Sequence, residues 1–171
     1  ERALPALLDA IALPQAWRTI PGVCTAAGGP YHDGGGAEPE TDLDALPPIY
    51  DRALTGFTKP FVQLETSRGC GNGCRFCTRR ETAVRHHSLD RVRADLEAIR
   101  RRGVPQVRVL DRTFNAEAGR ALSLVRLFRD EFPELRFHLE IDPARVSGRL
   151  ADELALGGAG HFHLEAGVQS L

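Results

Sequence analysis

The sequence predicts an α/β fold in which parallel strands form the wall of an incomplete barrel. From residue 61 onward, strand-length apolar runs alternate with amphipathic segments of helix length. Repeated β-α units of this kind imply parallel strands joined by right-handed crossovers. The strand runs also alternate polar and apolar side chains, whereas strands covered on both faces of an open sheet are continuously apolar. The polar faces must therefore line a wet or ligand-filled space. A doubly wound sheet is the alternative.

The first 60 residues differ from the rest, and we predict a boundary between 1–60 and 61–171. Residues 2–11 are predicted to form a short helix with its leucines on one face. The glycine-rich stretch that follows is typical of turns and loops, with a small hairpin between 23–25 and a partner near Tyr31. Residues 42–50, which contain two consecutive prolines, indicate an extended linker from a preceding domain.

The second segment contains about four predicted β/α units. Ser88 is expected to cap the first of the helices, since its short polar side chain can accept a hydrogen bond from a free amide, and Asn115 and Ser147 are expected at the starts of the next two. Glycine or proline follows each predicted helix and ends it. The predicted strands are 61–66, 107–110, 135–141 and 161–166.

Composition limits the function classes. The chain has 171 residues and a formal net charge of −1, so there is no reason to expect binding to nucleic acid or to an anionic membrane. It has no apolar run near the ~20 residues of a membrane span and no signal peptide, so we expect a cytoplasmic protein. Because the chain contains no Met and stops just after a predicted strand, we also expect it to be a fragment.

Three cysteines lie directly after the first predicted strand. Cys70, Cys74 and Cys77 have the spacing C-x3-C-x2-C, with glycines at 69, 71 and 73 that let the backbone wrap closely. Three thiolates on one tight loop can hold three irons of a cubane cluster and leave the fourth iron open. An open iron beside a cavity makes a reaction site instead of a passive electron carrier.

Other interpretations of the cysteines exist. A disulfide is disfavoured without a secretory signal. A zinc site with His86 or His87 as the fourth ligand is the main rival, although the spacing matches no paired C-x2-C knuckle. A ferredoxin-like electron carrier requires a fourth nearby cysteine, and Cys24 lies in the other segment, where we interpret it as structural.

This loop, with the aromatic Phe76 before the last cysteine, resembles the radical S-adenosylmethionine (radical SAM) superfamily and its C-x3-C-x-φ-C motif. Segments 110–115, 139–141 and 165–170 and the linker 42–47 are similar to its cobalamin-dependent (B12-binding) class. The resemblance covers roughly residues 40–171. It implies a partial (β/α)6-type barrel, of which about four β/α units are present.

The resemblance also implies the chemistry. Cys70, Cys74 and Cys77 would bind a 4Fe–4S cluster, SAM would chelate the open iron, and reductive cleavage would give a 5′-deoxyadenosyl radical for methylation or another C–H modification. The cobalamin motif Asp-x-His-x-x-Gly is absent from the sequence, so cobalamin is expected on a domain outside this chain. The implied partners are SAM, an organic substrate and a flavodoxin- or ferredoxin-type electron donor.

Several residues are candidates for cofactor contacts. Asp111 follows the second strand, where the SAM-amine contacts of the family lie, although the usual Gly-Gly-Glu is absent. Glu140 and Glu165 end successive strands, where barrel enzymes gather ligand contacts; an ion pair with Arg108 or Arg136 is the alternative. The remaining candidates are Phe76, beside the cluster or adenine, and Gln169 and Ser170, at the adenosine site.

Three histidines are expected on the polar face of the barrel wall. They are His138, His161 and His163, in the third and fourth predicted strands. We interpret them as satisfied interior histidines in preference to metal ligands.

Overall fold

The computed structural model describes residues 2–50, 59–75, 77 and 82–167. The strands are β1 (Phe61–Leu64), β2 (Ser67–Cys70), β3 (Thr82–His86), β4 (Gln106–Val109), β5 (Arg136–Ile141) and β6 (Phe162–Ala166). The helices are α1 (Ala3–Asp9), α2 (Leu89–Arg101), α3 (Ala118–Glu131) and α4 (Gly148–Leu156). The chain divides into two units, Glu1–Thr41 and Asp42–Leu171.

The main sheet has four parallel strands in the order β1-β4-β5-β6. Each new strand of this sheet is added beside the previous one, and the order does not reverse within the described residues. A doubly wound sheet requires such a reversal, so the strand order favours the barrel wall. The predicted α/β fold with about four parallel β/α units is therefore confirmed, as part of a barrel.

Apolar side chains of the strands pack against the helices and form the core. Phe137 of β5 stacks on Phe128 of α3 with ring centroids 4.1 Å apart. The alternating strands bury one face only: β1 and β4 bury every second residue, and β5 exposes or half-exposes Arg136, His138 and Glu140. Because the helices cover the apolar face, the polar face stays open as predicted.

Two of the three predicted helix starts are present, and both are capped by the serine that was predicted there. The Ser88 hydroxyl accepts a hydrogen bond from the Arg91 amide at 3.1 Å and begins α2. Ser147 does the same for the Leu150 amide at 3.2 Å and begins α4. Each such cap contributes about 1 kcal/mol. The third predicted start, at Asn115, is wrong by three residues, because α3 begins at Ala118.

An antiparallel hairpin of β2 and β3 was not predicted. Ser67 pairs with His86, and the pairing slips between Arg68 and Cys70. Gly69 has a φ of 109° at this irregularity, and a Cβ there would lie 2.3 Å from the Ala83 carbonyl oxygen. Glycine is therefore required by both conformation and space.

The segment 42–50, predicted as a linker, belongs to the second unit. Leu43 is fully buried, and the Tyr50 hydroxyl donates a hydrogen bond to the Gln63 carbonyl of β1. The predicted domain boundary at residue 60 stays a prediction about the longer protein. In the structure, the second unit begins at Asp42.

The first unit contains α1 and an isolated antiparallel bridge. The bridge joins Thr25 to His32 through backbone hydrogen bonds of 3.0 and 2.8 Å, at the place of the predicted hairpin. The helix is shorter than the predicted 2–11. Throughout the described part of the chain, no helix combines the length and the apolarity that a membrane span needs.

Candidate functional site

The three predicted cysteine ligands lie on the segment that leaves the carboxyl end of β1. All three are partly buried thiols: Cys70 ends β2, and the Cys77 amide donates a hydrogen bond of 3.1 Å to the Cys74 carbonyl. Within the described ranges, no three Cys, His, Asp or Glu side chains converge as ligands for a metal ion. The assignment of the three cysteines as cluster ligands therefore stays a prediction. Phe76 lies outside the described residues.

The donor set fits an iron–sulfur cluster chemically. Three thiols within one short loop match three of the four irons of a cubane, since thiolate sulfur is the usual ligand of such clusters. The loop backbone is also open, because a Cβ added at Gly71 would meet no atom within 4 Å. Cys70, Cys74 and Cys77 would hold the cluster, which leaves one iron for a non-protein ligand.

Asp111 anchors the beginning of this loop. Its Oδ1 accepts hydrogen bonds from the Thr66 and Ser67 amides at 2.8 and 2.9 Å, and its Oδ2 accepts one from the Thr66 hydroxyl at 2.5 Å. The Asp111 carboxyl group is buried, with 3% exposure. Hydrogen bonds to a charged acceptor are the strong ones. Asp111 thus fixes the end of β1, and its predicted contact with the SAM amine stays a prediction.

Arg120 closes the base of the loop. Its Nη2 donates to the carbonyl oxygens of Thr66 at 3.0 Å and His87 at 2.8 Å. The His87 amide donates to the same Thr66 oxygen at 3.0 Å. Burial lowers the pKa of Arg120, and the nearby Asp111 carboxylate acts in the opposite direction. Sequence reasoning missed Arg120, because nothing in a helix interior far along the chain indicates this contact.

Asn72, between the first two cysteines, is held from two sides. Its Nδ2 donates to Thr113 Oγ1 at 3.3 Å, and its Oδ1 accepts from Arg145 Nη2 at 3.1 Å. Asn115 in turn ties the next two loops together, by two hydrogen bonds of 2.8 Å with the backbone of Asp142. The loops after β1, β4 and β5 are therefore one connected polar network. In the sequence, the asparagine between the first two cysteines was the signal that could have indicated this network.

A cleft of about 170 Å³ lies beside Cys70. His86 Nε2 lies 2.9 Å from Glu117 Oε1 at its wall, whereas His86 Nδ1 is buried and has no hydrogen-bond partner among the described residues. Two cations and two carboxylates also line the cleft: Arg120, Arg145, Asp111 and Glu117. The cleft therefore has polar groups of both signs next to the first cysteine.

The histidines of the zinc alternative have other partners. His86 contacts Glu117, and His87 is buried, with its Nδ1 3.1 Å from Asp44 Oδ1. Burial acts to raise the pKa of Asp44, but hydrogen bonds from Ser88 and His87 lower it on balance. The structure therefore offers no support for a zinc site completed by either histidine.

Glu140 and Glu165 lie where the sequence predicts, side by side on the polar face. They are direct neighbours in the register of β5 and β6, and both are exposed. Glu165 Oε2 lies 2.9 Å from His138 Nε2. Its ion-pair partner is therefore a histidine, whereas the alternative interpretation expected Arg108 or Arg136. The predicted adenosine contacts, Gln169 and Ser170, lie outside the described residues.

The expectation that three histidines share the polar face is wrong for one of them. His138 and His163 are direct neighbours there, with ring centroids 5.1 Å apart. His161 precedes β6 and packs edge-on against Phe137 of the buried face, at 5.5 Å. Burial lowers its pKa, and nearby backbone carbonyls oppose that shift. The alternation of the strand does not extend to His161, because this residue belongs to the preceding turn.

The fold and the cysteine loop together define a class of protein, and comparison with known families agrees. The sequence profile of the Radical SAM superfamily matches residues 64–171. This range includes the whole cysteine loop, the last residue of β1 and the other three strands of the parallel sheet. The chain belongs to the radical SAM superfamily, whose members use a 4Fe–4S cluster and SAM.

Solved structures show the same fold. The chain is similar to two structures of TsrM, a radical S-adenosylmethionine methyltransferase from Kitasatospora setae. One contains tryptophan substrate and the SAM analogue aza-SAM, and the other contains cobalamin and a [4Fe-4S] cluster. Both have a TM-score of 0.72, with sequence identities of 20% and 19%. The match covers 98% of this chain and 36% of each TsrM chain. No curated protein matches the sequence significantly.

Proposed function

We propose that this chain forms part of the catalytic core of a radical SAM enzyme, with a 4Fe–4S cluster held by Cys70, Cys74 and Cys77. The observation that carries the proposal is the position of the three thiols, at the carboxyl end of the first strand of a parallel β/α sheet. Barrel enzymes place their reactive groups at this end. When bound, the cluster and SAM supply a 5′-deoxyadenosyl radical by one-electron cleavage of SAM.

The residues of this chain would bind and orient the reactants. Asp111, Arg120 and Asn72 hold the cysteine loop to the ends of the strands. Glu140 and Glu165 project from the polar face one residue before their strands end, where they can accept hydrogen bonds from SAM or the substrate. The protein supplies position and electrostatics for chemistry that belongs to the cofactor.

We further propose cobalamin-assisted methylation as the reaction of the longer protein. The similarity of 42–47 and the later segments to the cobalamin-dependent class supports this proposal, as does the shared fold with TsrM, a methyltransferase with a cobalamin-bound structure. Cobalamin would be bound by a domain outside this chain. We also propose a cytoplasmic location and an electron donor of the flavodoxin or ferredoxin type.

The cluster assignment is tested by anaerobic iron–sulfide reconstitution of the full-length protein. Low-temperature EPR of the reduced protein should show a 4Fe–4S signal that shifts when SAM is added. Changing Cys70, Cys74 and Cys77 to Ala should abolish the signal. Cys24→Ala is the matched control, because Cys24 is also a free cysteine but is exposed and lies in the first unit. Uptake of one zinc in place of iron would contradict the proposal.

A further inference from the structure

The polar face of the parallel sheet carries its charges in rows of one sign. Arg108, His138 and His163 are consecutive register neighbours on β4, β5 and β6; we call these three residues the cation row. Two residues further along the strands, Glu140 and Glu165 are also direct neighbours. The two rows are separated by about 6.6 Å along the strands. The acidic pair is nearer to the strand ends from which the cysteine loop leaves.

This pattern is unfavourable for a sheet that faces only water. Like charges directly opposite each other on neighbouring strands destabilise a sheet, whereas alternating signs stabilise it. Here Glu140 lies beside Glu165. Departures from a locally favourable pattern are concentrated at functional sites, where a ligand compensates for them.

The Arg108 guanidinium is the donor group of the cation row that is available to bind. The guanidinium groups of Arg108 and Arg136 form no hydrogen bond or ion pair within the part of the chain that the structure describes. The Arg108 guanidinium lies over the Phe61 ring at 3.8 Å, which orients its planar group. His138 Nε2 is buried and lies 2.9 Å from Glu165 Oε2, although the two atoms do not form a hydrogen bond.

The row faces a cleft large enough for an organic molecule. The cleft has a volume of about 520 Å³, within the range of small-molecule sites. Its polar lining consists of the cation row with Gln106, Arg136 and Glu165. Arginine and imidazole donors of this kind bind oxyanions.

We propose that the cation row binds the carboxylate group of the organic substrate; this inference rests on the proposed function. A singly charged carboxylate suits the row better than a phosphate. The adjacent Glu140 and Glu165 would repel a dianion more strongly than a singly charged group.

The test measures the binding of a minimal carboxylate to the full-length, cluster-loaded protein. The probes are propionate, propylamine and 1-propanol, which share one carbon chain and differ in the end group. NMR of ¹³C-labelled histidine side chains reports on His138 and His163, with signals assigned from His138→Asn and His163→Asn. Propionate should shift both signals to saturation, and the other two probes should not.

The matched variants are Arg108→Gln and Arg149→Gln. Loss of one charge-assisted pair at Arg108 should weaken propionate binding about ten-fold. Arg149 lies exposed on α4, on the opposite side of the sheet, and its variant should bind as the unaltered protein does. Arg108→Lys keeps the charge and loses the planar fork, so it should be intermediate.

Three results would overturn the inference: shifts that do not saturate, equal shifts with all three probes, or unaltered propionate binding in Arg108→Gln. The EPR response to SAM serves as the folding control for every variant. If that response is normal and propionate does not bind, the substrate inference fails and the proposed function stands. If the cluster never forms in the unaltered protein, the proposed function fails instead.

Discussion

Replacing Asp111 by Ala should release the start of the cysteine loop. The Asp111 carboxylate accepts three hydrogen bonds, from two backbone amides and the Thr66 hydroxyl. A hydrogen bond to a charged group contributes about 1.5–3 kcal/mol, and a buried donor left unpaired costs a similar amount. Because the three bonds share one acceptor, their contributions do not simply add. The expected local destabilisation is about 3–5 kcal/mol.

Asp111→Asn separates the charge of this residue from its geometry. The Asn side chain keeps an acceptor for the two amides but loses the negative charge near Arg120. We expect a smaller loss of about 1–2 kcal/mol. Asp152→Ala is the control, because Asp152 is an exposed acidic residue on α4.

The assay is native-state hydrogen exchange of the Thr66 and Ser67 amides in the full-length protein. The Ala variant should exchange these amides roughly 100- to several thousand-fold faster, by the usual 1.4 kcal/mol per factor of ten. Unaltered protection in Asp111→Ala would refute the anchoring role. If Asp111→Asn keeps its protection but loses the EPR response to SAM, Asp111 contacts SAM as well as anchoring the loop.

Three further predictions concern single residues. Gly69→Ala should unfold the β2–β3 hairpin locally and reduce cluster loading, because its Cβ would lie 2.3 Å from a carbonyl oxygen at a φ of 109°; normal loading would contradict this. His161 has a pKa below its ordinary 6.5, so the unfolded state binds more protons and stability should fall as the pH drops below about 6.5. Thermal unfolding between pH 7 and 5 should show a weaker pH dependence in His161→Gln, and an equal dependence would count against it. Burial raises the pKa of Tyr50 to about 12. Tyr50→Phe should leave the Gln63 carbonyl without this donor, cost about 1 kcal/mol and speed exchange in β1, and unchanged exchange would argue against that contact.

The sequence predicted the parallel strands and helix starts because those signals are local. Alternating side chains predict β5, and Ser88 and Ser147 cap the helices that follow them. The β2–β3 hairpin has no such signal, since Ser67-Arg68-Gly69-Cys70 has no alternating apolar pattern and its partner strand lies beyond the cysteines. Glycine is required at position 69 because of its contact with β3, and that contact is visible only in the folded structure.

The candidate site was predicted unevenly for a similar reason. The three cysteines are recognisable from their spacing alone, and the order of motifs indicated the superfamily. The residues that position the loop act across long sequence separations: Arg120 and Arg145 reach it from elements far along the chain. His161 was misassigned because a strand pattern was extended by one residue into a turn.

The closed base of the cysteine loop has a consequence for how this fold can vary. The His87 amide donates a hydrogen bond to the Thr66 carbonyl, and Arg120 donates to the carbonyl oxygens of both Thr66 and His87. These contacts join the end of β1 to the start of α2 as a short turn would. The cysteine loop and the β2–β3 hairpin are therefore an insertion between β1 and α2. Its length and sequence can therefore change between relatives without altering how the strands pair, and a scaffold of this kind can acquire a different cluster environment by exchanging one segment.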